Sequence, residues 1–220
     1  MTLIPRQPRP LTRDSASLRD DRLFIVACDD TFAPKQYFNF LQLTRVKIHV
    51  VPTPDGTSAA SYVLGRLLQF DHDADDELWM LLDTDHCAQG AHLASFAETL
   101  REAKRQRVNV ALSKPSFELW LLLHHVEESA LGVLPAAKDV EEALRTKLGQ
   151  YNKTNLKPEH YPLTSVCNAY IRAERLDATV TGGDIPSDNT TRVYRLLKAI
   201  VAKALPQQLP PELRGLLRQQ

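Results

Sequence analysis

The sequence predicts an α/β fold, with a mainly parallel four-stranded sheet flanked by helices and a helical extension behind it. Three observations carry this. Residues 22–28 and 78–82 form short, continuous apolar runs of the kind strands buried on both faces show, and two further strands are expected at 46–51 and 108–112. Between them, apolar residues recur at helical spacing, and helical connections of that length join parallel strands. From Leu134 onward only helical periodicity remains.

Taken in order, the first strand is Arg22 to Cys28, which ends abruptly in Asp29 and Asp30. A helix is expected over Pro34 to Leu43, with Pro34 in its first turn and Tyr37, Phe38 and Leu41 on its apolar face. Val46 to Val51 forms the second strand. Thr53 to Ser58 reads as a turn and N-cap, opening a helix whose Tyr62, Val63, Leu67 and Phe70 share a face. The acidic stretch Asp71 to Glu77 links it to the third strand, Leu78 to Leu82, which also ends in carboxylates, Asp83 and Asp85. A helix through Phe96, Leu100 and Ala103 leads to the fourth strand, Val108 to Leu112. Lys114 and Pro115 then turn the chain into an apolar helix over Phe117 to His125. Later helices are expected at Lys138 to Leu148, Leu163 to Leu176 and Asn189 to Leu205, the last capped by Asp188 or Asn189. The chain divides into a flexible basic tail (1–21), an α/β core (22–133), a helical region (134–206) and a flexible tail (207–220).

Composition bounds the function. Lys+Arg 27 against Asp+Glu 27 leaves no net charge, so nucleic-acid binding has to come from local clusters of basic residues. Cys28, Cys87 and Cys167 are odd in number and widely spaced, which points to reduced thiols and a cytoplasmic setting. Residues 1–22 contain three prolines and no apolar segment of the kind a secretory signal needs. No run approaches the ~18 apolar residues of a membrane span, so no membrane partner is expected.

Parallel sheets place their chemistry at the carboxyl ends of the strands, and two of these ends carry acid pairs. Asp83 and Asp85, two residues apart, can aim at one cation where the third strand frays into a loop. Asp29, at the end of the neighbouring strand, would complete an acidic nest for Mg²⁺ or Mn²⁺, hard ions that prefer carboxylate oxygen. Plainer readings stand beside this one. Asp83 and Asp85 also suit a solvated turn, and Asp29 or Asp30 could cap the next helix. Glu118 fits either a helix-dipole acid or a supporting member of the site. His86, Cys87 and His92 lack a fourth zinc ligand at a recognised spacing. Phe117, Trp120, Leu121 and His124 suit a core better than a base-stacking platform, and Tyr194 with Arg192 and Arg195 suits either nucleic-acid contact or a wet helix face.

Several segments resemble one family. Ile25 to Asp30, followed by Tyr37 and Phe38, looks like the opening motif of RloB-like proteins. Leu78 to Asp85 resembles their DxD strand, and Ser113 to His124, containing FELWLLLH, is similar to their most distinctive segment. Tyr151 to Lys153, Ala173 to Leu176 and Asn189 to Leu196 also resemble family motifs. The resemblance implies a Toprim-like fold and a Mg²⁺-dependent nuclease effector of a bacterial abortive-infection, anti-phage system. RNA, tRNA among it, or DNA would be the substrate. The implied partner is an ATPase of the overcoming-lysogenisation-defect or SMC-like type, and the oligomeric state is left open. Asp29, Asp83 and Asp85 would carry the metals and the catalysis, supported by Asp30, Lys114 and Glu118. Asp29 stands where the family has Glu, and Lys114 where it has Asn. A catalytically silent module that binds a partner, nucleotide or nucleic acid is the alternative.

Overall fold

The computed structural model describes residues 22–43, 46–51, 53, 58–85, 90, 92–207 and 209–219. The expected tail at 1–21 and residues 54–57 of the expected turn lie outside them. Strands β1 (Arg22–Cys28), β2 (Val46–Val51), β3 (Glu77–Asp83) and β4 (Asn109–Lys114) are mutually parallel, in the spatial order β2-β1-β3-β4. Their alternating side chains feed two apolar layers. Phe24, Val26, Cys28, Trp79 and Leu81 pack on one face with α1 (Ala33–Phe40), and Ile25, Ala27, Leu78, Met80 and Leu82 pack on the other with α2 (Ala60–Gln69) and α3 (His92–Arg105). Burial on both faces is why β1 and β3 read as unbroken apolar runs.

The step from β1 to β2 runs one way across the sheet, whereas β3 and β4 lie on the other side of β1. The chain therefore leaves β1 toward one face and β3 toward the other. This divergence opens a crevice beyond the carboxyl ends of β1 and β3, the switch point where open α/β sheets bind ligands.

The sheet has a fifth strand, one more than the pattern predicts. β5 (Thr190–Thr191) pairs antiparallel with Ser113 and Lys114 of β4. Two residues are too few to impose a period. The pair is nevertheless wholly buried, and Thr191 Oγ1 lies 2.8 Å from Ser113 Oγ. Because β5 takes these residues, α7 (Val193–Lys203) begins four residues later than expected, with Arg192 at its cap position. Asn189, an expected cap, instead ties down Leu134: its Nδ2 donates to the Leu134 carbonyl at 2.6 Å, and its Oδ1 accepts the Leu134 N–H at 3.2 Å.

α4 (Glu118–Leu123) is buried on every side, as its all-round apolar sequence requires. α5 (Ala137–Leu148), α6 (Leu163–Thr179) and α7 extend the layer on the α1 face into one continuous core. A hub of charge joins α6 to the end of β5 and the start of α7. The buried Asp177 carboxylate accepts from Arg192 Nε at 3.0 Å, Tyr194 Oη at 2.9 Å and Arg195 Nη2 at 2.7 Å.

Two further expectations are corrected. Tyr62 is exposed, because the buried face of α2 runs through Ala60, Val63, Leu64 and Leu67, and Tyr62 instead lies beneath the Arg66 guanidinium. The described residues beyond Pro206 pack on the core, where a flexible tail is expected. Leu209, Leu213 and Leu216 are buried, and the 3-10 helix Pro211–Gln219 packs on α6 and α7. Three leucines at spacings of four and three supply an apolar stripe among polar neighbours. No described helix is long and apolar enough to cross a membrane.

Candidate functional site

The crevice at the switch point is lined with acids. Asp29 follows β1 directly, and Asp83 closes β3. The Asp29 carboxylate joins the two strand ends: Oδ2 accepts the Asp83 N–H at 2.8 Å and Oδ1 the Asp30 N–H at 2.9 Å. Asp30 turns the other way, its Oδ1 accepting the N–H groups of Phe32 at 2.5 Å and Ala33 at 3.2 Å, where α1 has no donors' partners of its own. The turn after β3 is fixed from β4 and the residue beyond it. Thr84 N–H donates to the carbonyls of Ser113 and Pro115, and Asp85 N–H donates to Pro115 at 3.2 Å. Glu118 opens α4 with only 3% exposure, and its Oε1 accepts the Tyr151 hydroxyl at 3.0 Å.

Together these residues bound a cavity of about 320 Å³. Among the described residues, its walls carry Asp29, Asp30, Asp83, Asp85, Glu118 and Glu141, against one cation, Lys153. Such crowding shows in the acidities. Burial, with the charge of Asp30, lifts Asp29 to about 7, even though the Asp83 N–H pulls the other way. Burial lifts Asp83 well above the carboxylate range, and the charges of Asp29, Glu118, Asp85 and Asp30 add to it. Burial likewise raises Glu118, against the stabilising hydroxyl of Tyr151. A cation in this cavity would relieve all three. Among the described residues, no group of three or more His, Cys, Asp or Glu side chains is placed to hold a metal ion by itself. The donor set fits Mg²⁺ in kind, because that ion keeps several waters and commonly takes one or two carboxylates together with substrate phosphates.

A family model described as RloB-like protein matches residues 24–200. The chain belongs to the RloB-like family. The matched span includes every acid of the cavity and ends within α7. No curated protein and no solved structure matches the chain.

Of the residues singled out from sequence in this RloB-like chain, Asp29, Asp30, Asp83, Asp85 and Glu118 share the cavity. Lys114 does not line it. Its Nζ donates to the carbonyls of Pro186 at 3.1 Å and Ser187 at 2.6 Å, so the ammonium fastens β4 to the loop before β5 rather than waiting for a phosphate. The cation that lines the cavity among the described residues is Lys153, beyond α5. Only the family motif hinted at it, and Glu141 gave no signal at all amid the other charges of α5. His86 and Cys87 fall outside the described residues, while His92 lines a separate cavity with Ser58, Ser61 and Ser95. Phe117, Trp120, Leu121 and His124 are core: His124 Nδ1 lies 2.7 Å from Ser165 Oγ, and its Nε2 lies 3.2 Å from Tyr37 Oη. Arg192, Tyr194 and Arg195 turn to Asp177.

Proposed function

We propose that this RloB-like chain is a Mg²⁺-dependent nuclease of Toprim-like type, hydrolysing phosphodiester bonds of RNA, tRNA among the candidates, or of DNA. It would act in a bacterial anti-phage defence system under the control of an ATPase partner. One observation carries the chemical part of this reading: among the described residues, six carboxylates and one lysine line a cavity at the carboxyl ends of β1 and β3. The defence role and the ATPase rest on the family alone.

Asp83, Asp85 and Asp29 are the residues that would hold Mg²⁺ or Mn²⁺, and the ion would polarise the phosphodiester and help deprotonate the attacking water. Asp29 keeps a second lone pair on each oxygen beyond its two backbone bonds, so holding the strand ends together leaves it able to accept more. Glu118, steadied by Tyr151, would orient water on the inner wall. Lys153 would hold a phosphate oxygen at the mouth.

A second reading has one observation in its favour. Asp30 is committed to α1, and both oxygens of Asp29 already serve backbone N–H groups, which suits a silent module that keeps its acids for structure. Calorimetric titration with Mg²⁺ and Mn²⁺, alongside cleavage assays on RNA and DNA with and without the ATPase, separates the two. Asp83→Asn should lose metal uptake and cleavage while keeping its fold. Identical behaviour of wild type and Asp83→Asn in titration and under phage challenge would leave the silent module standing.

A further inference from the structure

Beside the acidic cavity lies another, of about 290 Å³, formed by the connection between α5 and α6. Gln150, Asn152, Asn155, Lys157, His160 and Tyr161 line it, and Tyr151 is its wall toward the acids. That wall is shared. The Tyr151 hydroxyl donates to Glu118 inside the acidic cavity, and Lys153, two residues further on, lines that cavity itself.

The chemistry of this second lining is opposite to that of the first. It contains no carboxylate. Three side-chain amides offer donors and acceptors together, the pairing that a nucleobase edge presents. Asn152 Oδ1 is taken by the N–H and hydroxyl of Thr154, which leaves its Nδ2 as the donor on offer. Tyr151 and His160 supply ring faces for stacking, and Lys157 supplies positive charge for a phosphate. Tyr161 is 4% exposed, yet its buried hydroxyl has no hydrogen-bond partner. An unmet polar group of this kind asks for an occupant. The volume lies at the lower end for small-molecule pockets, enough for one base and not for a folded ligand.

We infer that this cavity receives the base of one nucleotide from the strand whose phosphodiester lies in the acidic cavity. The inference rests on the nuclease reading and sharpens it: the strand has to be single, or locally unstacked, for a base to enter. Mixed-sequence oligonucleotides, single-stranded and duplex, titrated by fluorescence anisotropy in Ca²⁺, test it on the full chain. Gln150→Ala and Asn155→Ala should each weaken single-strand binding about fivefold to tenfold, the scale of one base-edge hydrogen bond. Their melting temperatures and Mg²⁺ uptake should match wild type, and single strands should bind more tightly than duplex.

Wild-type affinity in both variants, with metal uptake and cleavage intact, would overturn the base pocket and leave the nuclease reading in place. A mononucleotide that binds but is not displaced by excess oligonucleotide would also overturn it, and would assign the cavity to a free nucleotide. Loss of the nuclease reading would show separately, as wild-type protein that takes up no metal and cleaves nothing.

Discussion

Asp177→Ala should cost about 3–5 kcal/mol of folding stability, the scale of breaking a buried ion pair from one side. Its carboxylate, on a side chain 4% exposed, holds two guanidiniums and a tyrosine hydroxyl. Their fates differ once it is gone. The Arg192 side chain is only 9% exposed, so its charge stays inside with the carbonyls of Gly183 and Asp184 as its remaining acceptors. The Arg195 side chain is 46% exposed and can return to water, so Arg195→Ala should cost no more than ~1 kcal/mol. At roughly 2–4 °C per kcal/mol for a chain of this size, Asp177→Ala should lower the melting temperature by ~6–20 °C, and Arg195→Ala by at most ~4 °C. The pH dependence has a definite sign. Burial acts to raise the pKa of Asp177, but Arg192, Tyr194 and Arg195 outweigh it and hold the carboxyl below its ordinary value. The stability this contributes is full above the ordinary carboxylate range and is lost as pH falls through the folded value. Thermal melts of wild type and variant should therefore draw together on acidification. Equal losses for Asp177→Ala and Arg195→Ala would refute the hub. So would an Arg192→Ala variant of unchanged stability that bound nucleic acid more weakly, since it would return that arginine to an interface.

Lys153→Ala should weaken oligonucleotide binding severalfold and flatten its salt dependence, whereas Lys114→Ala should leave both unchanged; anisotropy titrations across salt concentrations separate them. Tyr151→Phe removes the hydroxyl that supports Glu118, and denaturant unfolding should register a loss of about 1–3 kcal/mol at neutral pH. Leu213→Ala, at a position with 0% exposure, should cost about 2–5 kcal/mol in the same assay; a loss near zero would mean that the C-terminal helix contributes nothing to the core.

β1 and β3 were legible because burial on both faces writes a continuous apolar run, whereas β2 alternates, burying Val46 and Val50 and exposing Lys47 and His49 between them. β5 left no such trace. Thr190 and Thr191 are a strand only because the partly paired edge of β4 lies against them, a tertiary circumstance with no local period. The acids at the strand ends were legible for the same reason as the strands. Asp29, Asp83 and Asp85 interrupt apolar runs, and topology carries the interruptions to one edge. Lys153 and Glu141 come from the α5 region, and their approach depends on how that helix packs against α4, which residue spacing does not encode. Lys114 lies outside the cavity although its sequence neighbours approach it, because its spatial partners are the carbonyls of a loop 72 and 73 residues away.

The acids of the cavity fall into two groups by what else they do. Asp29 and Asp30 serve the fold: one bridges β1 to β3, and the other satisfies the start of α1. Substituting Asn for Asp29 would set an amide N–H₂ against a backbone N–H, so that change would disturb the strand ends as well as the charge. Asp83 is different. Its backbone N–H meets Asp29, but among the described residues its own carboxylate accepts no hydrogen bond and faces the charges of four other acids. A half-buried carboxylate under that repulsion costs stability and gains none from hydrogen bonds to its own oxygens. Local conflicts of this kind concentrate where a chain does chemistry, so Asp83, more than Asp29, is the residue on which to test the function.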